Sequence, residues 1–222
     1  MSTQIKSKER VAERGEVFTA EREVQAMLYL VAPECLRPDS RFLEPACGDG
    51  NFLIAILERK LSELRRKHKG CARNYERMSI LAIGSLYGVD IMQDNVEACR
   101  NRLFDYWNKE YHAHCKSEVC QDAIDAARFI IDHNIVCGNA LTLMCVDENG
   151  NDTRDPIVFS EWALIGESQM QRSDYTFADL LLVNDTTKGA NLFNTMSEEE
   201  KREGTFLKRY VAHYKTIHKT IQ

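Results

Sequence analysis

No apolar run in this sequence is long enough to span a bilayer, so nothing in it reads as a membrane segment. The opening Met-Ser-Thr-Gln-Ile-Lys-Ser-Lys-Glu-Arg lacks the apolar core of a signal peptide, and the expected compartment is the cytosol. No Cys-x-x-Cys pair occurs: the eight cysteines stand apart, at 35, 47, 71, 99, 115, 120, 137 and 145. In the cytosol they should be reduced, and most should be small core residues. Positive charge is not in surplus either. Lys and Arg number 29 against 34 Asp and Glu, a net charge of −5, which is not the balance of a dedicated nucleic-acid binder. Contact with DNA would need a local basic groove. The four prolines are never adjacent, and no repeat or low-complexity stretch appears.

The chain does have length and apolar content for one well-buried domain, with 222 residues, 44% of them hydrophobic and 28% charged. Residues 1–13 are polar and read as frayed or loosely helical. Thr19 is placed to cap a helix from about 20 to 32, on which Val24, Met27, Leu28 and Val31 recur at helical spacing. Pro33 and Pro38 close it.

The organising stretch is Phe42-Leu43-Glu44-Pro45-Ala46-Cys47-Gly48-Asp49-Gly50-Asn51-Phe52-Leu53. A strand-like start runs into a Gly-x-Gly turn, and a helix follows with Leu53, Ile56, Leu57, Leu61 and Leu64 on one face. This is the strand–turn–helix unit of a nucleotide-binding α/β sheet. The third glycine of the dinucleotide fingerprint is missing, because Leu53 stands in its place; that counts against a nicotinamide dehydrogenase. The helix ends in Arg65-Arg66-Lys67-His68-Lys69-Gly70. Cations at the C-terminal end of a helix dipole explain that run better than a DNA-binding patch does.

Residues 73–84 read as a short helix, and Leu86 to Ile91 as a strand with Asp90 at its end. A carboxylate there can take ribose hydroxyls or cap the next helix. Two helices follow, at about 95–111 and 118–132, and Asn134 to Cys137 is a third strand. It leads into Gly138-Asn139-Ala140-Leu141, where Asn139 either meets a ligand or simply serves a turn. Asp147 to Asp152 reads as a surface loop, and residues 155–177 as an inserted β-hairpin around Gly166-Glu167. Leu180 to Val183 reads either as a buried parallel strand or as part of a helix. A capping box at Ser197-Glu198-Glu199-Glu200 opens an expected C-terminal helix over 196–222, with Phe206, Tyr210, His213 and Ile217 on its apolar side. The cluster of His112, His114, Cys115 and Cys120 fits no standard zinc spacing, and no metal site is assigned.

Glu-Pro-Ala-Cys-Gly-Asp-Gly-Asn-Phe, at 44–52, resembles the S-adenosylmethionine-binding motif of the N6-adenine DNA methyltransferases of restriction–modification systems. The usual form is Asp-Pro-Ala-Cys-Gly-Ser-Gly-x-Phe, so Glu44 replaces Asp and Asp49 replaces Ser. Gly15, Phe18 and Thr19, with Ala20 for proline, resemble the family's Gly-x-x-Phe-Thr-Pro segment, which closes over the methionine end of the cofactor. Gly88-Val89-Asp90-Ile91 resembles its second motif, where the acid binds ribose and the next apolar residue packs on adenine. Gly138-Asn139-Ala140-Leu141 is similar to its Gly-Asp-Ala-Leu, whose acid accepts from the adenine amino group.

The resemblance covers residues 14–141 strongly and 177–187 weakly. It implies one α/β domain over 1–222 with a Rossmann-like methyltransferase fold, truncated at the C-terminal side of the sheet, and a cofactor core at 14–141. S-adenosyl-L-methionine would be held by Phe18, Thr19, Glu44, Ala46, Gly48, Asp90, Ile91 and Asn139. Double-stranded DNA is the implied substrate, with a specificity or restriction subunit as partner.

The family's catalytic string, Asn or Asp, Pro, Pro, then Tyr or Phe, is absent, and only Asn184-Asp185-Thr186-Thr187 stands in the right place. If Asp179 to Asn184 is an acid, a strand and the catalytic Asn, then Asn184 survives without its prolines and stacking aromatic; if the segment is a helix, no vestige exists. Two expectations stand: a methyltransferase of adenine N6, or a non-catalytic cofactor-binding module of a restriction or phage-defence complex.

Overall fold

The computed structural model describes residues 19–185 and 207–220, the side chains of 182–185 excepted. Its core is a mixed five-stranded sheet in the order β1-β2-β3-β4-β5. The parallel part is β1 (Phe42–Glu44), β2 (Leu86–Asp90) and β3 (Ile135–Asn139). Parallel neighbours need long crossovers, and helices supply them. Helices α2 (Asn51–Lys67) and α3 (Ala72–Gly84) join β1 to β2, and α4 (Gln93–Cys115) and α5 (Gln121–Asn134) join β2 to β3. After β3 the chain reverses, and the antiparallel strands β4 (Met144–Val146) and β5 (Asp152–Pro156) follow. Helix α1 (Glu21–Leu30) precedes the sheet.

Strand residues alternate between two cores, as the period of two requires. Phe42, Leu86, Ile135 and Cys137 face the helices. The expected stripe on α4, Val96, Cys99, Leu103, Trp107 and Tyr111, is buried along its whole length against them. Leu43, Tyr87, Val89 and Val136 face the other way and pack with Ile157, Phe159 and Phe177. Beside it lies a separate antiparallel sheet of β6 (Val158–Ile165), β7 (Gln169–Thr176) and β8 (Lys208–His213); its Phe159 joins this second core, while Trp162, Leu164, Met170 and Ala212 pack into the helix-side core. The hairpin expected at 155–177 is therefore present as β6 and β7.

Several expectations are corrected. The C-terminal helix is not formed over 207–220: residues 208–213 are strand β8 on the edge of β7, and Tyr214–Thr220 form a 3-10 turn. Tyr210 and His213 belong to a β-prone run, Lys-Arg-Tyr-Val-Ala-His, whose pairing with a distant strand outweighs a chance helical spacing. The capping box at 197–200 lies outside the described residues.

Residues 177–185 are a helix, α6, not a strand. Thr176 Oγ1 accepts the Asp179 N–H at 3.1 Å and starts that helix. A continuous apolar run such as Leu180 to Val183 does not distinguish the two by periodicity. The stretch from 147 to 152 is a loop only as far as 151, since β5 begins at Asp152. Ala20, not Thr19, is the residue before α1, and its N–H is taken by the Glu23 carboxylate at 3.3 Å.

Candidate functional site

At the C-terminal end of β1 the Cys47 N–H still donates to Val89 O, 2.8 Å away, so the parallel ladder runs one step past Glu44. The chain then doubles back through Gly48 (φ 53°) and Gly50 (φ 94°), a left-handed backbone that suits glycine. Gly50 N–H closes the turn on Cys47 O at 2.9 Å, and α2 starts at once. A Cβ on Gly50 would lie 2.7 Å from Cys99 Sγ, so the bare backbone also lets α4 pack directly under the corner.

Asp90, at the end of β2, ties this corner to the next helix. Its Oδ2 accepts the Gly48 N–H at 2.9 Å. Its Oδ1 accepts the Met92 N–H at 2.8 Å and the Asn95 amide at 3.2 Å. Asp90 is not the N-cap, which is Met92 without a side-chain cap; it holds the residue that precedes the helix instead. The carboxylate still has lone pairs to spare, since two oxygens offer about four acceptor sites.

A cavity of about 500 Å³ opens over the ends of β1, β2 and β3. That volume suits a small-molecule ligand. Thr19, Glu44, Ala46 and Gly48 line one side, and Asp90, Ile91 and Asn139 line another. The glycine-, acid- and Asn-bearing segments are separated by about 40 and about 50 residues in the chain, yet they meet around one space. Of the expected binding residues only Phe18 is not placed, because it lies outside the described residues. Asn139 has a turn role as well: its Oδ1 accepts the Leu141 N–H at 3.0 Å and its Nδ2 donates to Asp152 at 3.1 Å.

Three acidic residues, Glu44, Asp49 and Asp90, are among those that line the cavity, and no Lys, Arg or His is, among the described residues. Burial pushes the Glu44 carboxyl up from the usual range, and the Ala46 amide holds it partly down. Asp49 pairs through Oδ2 with Arg102 at 2.7 Å, while its Oδ1 is enclosed without a hydrogen-bond partner. Arg102 also donates to Asp49 O at 2.7 Å and to Asn51 Oδ1 at 3.1 Å, and Asn51 Nδ2 reaches Thr19 O at 3.3 Å. One arginine on α4 thereby braces the glycine turn and, through Asn51, the segment ahead of α1.

A larger cavity, about 760 Å³, lies at the other edge of β1, between Ser40 to Leu43 and β6. It holds charges of both signs, Arg37 and Arg41 with Glu34 and Asp39, and the Arg41–Glu161 ion pair stands beside it. The smaller cavity is the better ligand site, because strand C-termini and the glycine turn converge there.

The cysteine–histidine cluster does not converge. His112 Nδ1 faces Asn108 O, His114 stacks on Tyr75, Cys115 Sγ points to Ala72 O, and the Cys120 N–H donates to the Tyr111 hydroxyl. Asn184 lies in α6 rather than at a strand end, and its side chain is outside those described. Among the described residues no helix is long and apolar enough to cross a membrane. Comparison with protein-family models, with curated proteins and with solved structures gave no match.

Proposed function

We propose that this chain binds S-adenosyl-L-methionine in the cavity over β1–β3 and is a methyltransferase-like protein acting on adenine N6 of double-stranded DNA, sharing target recognition with a partner subunit. The observation that carries the cofactor reading is the cavity lining: the three motif segments surround one space, and its charged groups are all carboxylates among the described residues. A dinucleotide would set a pyrophosphate against Glu44, Asp49 and Asp90. S-adenosylmethionine has no phosphate, and its sulfonium and ammonium groups are both positive, so the same wall attracts it.

The residues present fit that nucleoside. Asp90 has acceptor capacity left for ribose hydroxyls, Ile91 offers an apolar surface to adenine, and Asn139 Oδ1 can take a second hydrogen bond. Glu44 and Thr19 line the remaining part, which suits the methionine end. When bound, the sulfonium supplies an electrophilic methyl group; the chain's own part is to bind it, orient it and exclude water. The parallel β1–β2–β3 core with helical crossovers supports a Rossmann-like assignment, with the β4 and β5 reversal in place of further parallel strands. The DNA substrate rests on the motif resemblance alone.

A second reading is a cofactor-binding module without methyl transfer. It is favoured by α6, which is helical where a catalytic strand is expected. Calorimetry with S-adenosylmethionine and with NAD tests the cofactor; preference for NAD, or no binding of either, defeats the reading. Transfer of labelled methyl groups to duplex DNA, with and without neighbouring gene products, then separates enzyme from module. Methylation lost in Asn184→Ala would exclude the module.

A further inference from the structure

We infer that the groove along the free edge of β1 is a docking site for a partner chain, which adds an extended, uncharged strand there; this gives a place to the partner subunit on which the reading above rests. β1 ends the five-stranded sheet and pairs with β2 alone. The Phe42 N–H donates to Ser85 O on the β2 side. Strand alternation therefore turns the Leu43 N–H and C=O to the open edge, where no backbone group meets them among the described residues. An edge of that kind is a template for one more strand. The cavity of about 760 Å³ lies along it, with Val31, Phe42, Leu43, Leu81, Trp162 and Leu164 among its walls.

The surroundings say what fits. Ten large apolar residues stand exposed among the described residues, and five of them fall between 27 and 36: Met27, Tyr29, Leu30, Val31 and Leu36. Tyr29 and Leu30 are 79% and 82% exposed. Val31 belongs to this patch and to the groove, so the apolar wall continues onto the surface, as at a protein–protein contact. The charges that line the groove are already paired within the chain, Arg37 with Glu34 and Asp39, and Arg41 with Glu161. A charged side chain entering there would find no counterion, so the slot favours an uncharged strand. A second copy does not supply one. Besides β1 and β6, which line the groove, its free edge strands are β5, with Asp152, Arg154 and Asp155, and β8, with Lys208 and Arg209. Pro45 lines both this groove and the smaller cavity. One end of the added strand thus emerges beside the proposed cofactor site, and the partner completes its wall.

The test uses the whole chain without cofactor or DNA, so its failure leaves the cofactor reading standing. The probes are two end-capped hexapeptides, one of alternating Val and Thr and one with Lys in place of a central Val. Titrated into isotope-labelled protein and followed by NMR, the uncharged peptide should bind on the order of tenfold tighter than the other. It should also slow hydrogen exchange of the Leu43 amide, as a new ladder bond requires. Val31→Glu sets a charge at an exposed position of the groove wall and should weaken binding about tenfold, with thermal unfolding unchanged. No saturable binding, equal binding of the two peptides, an unprotected Leu43 amide, or full binding by Val31→Glu overturns the inference. So does sedimentation in which the chain pairs with itself and Val31→Glu returns it to a monomer, since a second copy would then cover this face.

Discussion

The carboxylate of Asp90 and the backbone N–H of Gly48, 42 residues apart, are joined by a hydrogen bond of 2.9 Å. This bond fixes the glycine turn against the end of β2, while the other oxygen holds the start of α4. Asp90 is therefore structural before any ligand arrives. In Asp90→Asn one of the two sets of N–H donors must face an amide NH₂ instead of an oxygen. The expected cost is about 1–3 kcal/mol of stability. Urea unfolding should show the shift, and S-adenosylmethionine affinity should fall together with it. A variant of unchanged midpoint would mean that the bond contributes nothing to the corner.

Gly50→Ala should be among the most damaging single changes in the chain. The new Cβ meets Cys99 Sγ at 2.7 Å, and φ of 94° is strained for any L side chain. Together these predict a loss of about 2–4 kcal/mol. The two causes can be told apart. Adding Cys99→Ala removes the sulfur and should recover part of the loss, leaving the backbone strain. Thermal unfolding of the single and double variants measures this; full recovery would show that φ contributes little.

The glycine corner and the helices were readable because their signals are local. Gly48 and Gly50 sit between a short apolar run and the Leu53–Leu64 stripe, and the α4 stripe from Val96 to Tyr111 is regular. The partners that brace the corner were not readable. Arg102 and Cys99 lie about 50 residues beyond the turn they support, and no spacing rule links them to it. The strand at 208–213 was missed for the same reason: its pairing partner β7 is distant, while a helical spacing lay close at hand. The reversal after β3 depends on Leu143, a non-glycine residue at φ 65°, which no turn rule would single out.

Ligand affinity should depend on pH through Glu44. Its carboxyl stands above the usual glutamate range because burial penalises the anion. Asp49, Asp90 and the Cys47 thiol share its surroundings, and the Ala46 amide is the one group that favours the charge. A cationic ligand stabilises the ionised form. Affinity for S-adenosylmethionine is then full above the raised value and declines as pH falls through it. Glu44→Gln should abolish that decline. A binding curve as steep in the variant as in the parent chain would assign the dependence to another group.

Lys60 provides a test of the fold that is independent of any ligand. Its side chain is fully buried on α2, and its amine donates to Ser85 Oγ at 2.6 Å, to Pro38 O at 3.3 Å and to Ser40 O. The lysine thereby pins the segment ahead of β1 to the end of α3, which sets where β1 starts. Burial pushes the amine down to about 7. In the unfolded chain it titrates near the ordinary value of about 10.4. Between those two values the unfolded state binds more protons, so this group makes stability rise as pH increases from about 7. Below that range both states are protonated, and its contribution is constant. Lys60→Met leaves the Ser40 and Pro38 carbonyls without their donor and should cost about 2 kcal/mol at alkaline pH. The cost should shrink toward neutral pH, where holding the buried charge penalises the parent chain. Denaturant midpoints of the two proteins across that range measure the difference directly; a gap that widens toward pH 7 would mean that Lys60 is held as a stable ammonium by its three acceptors.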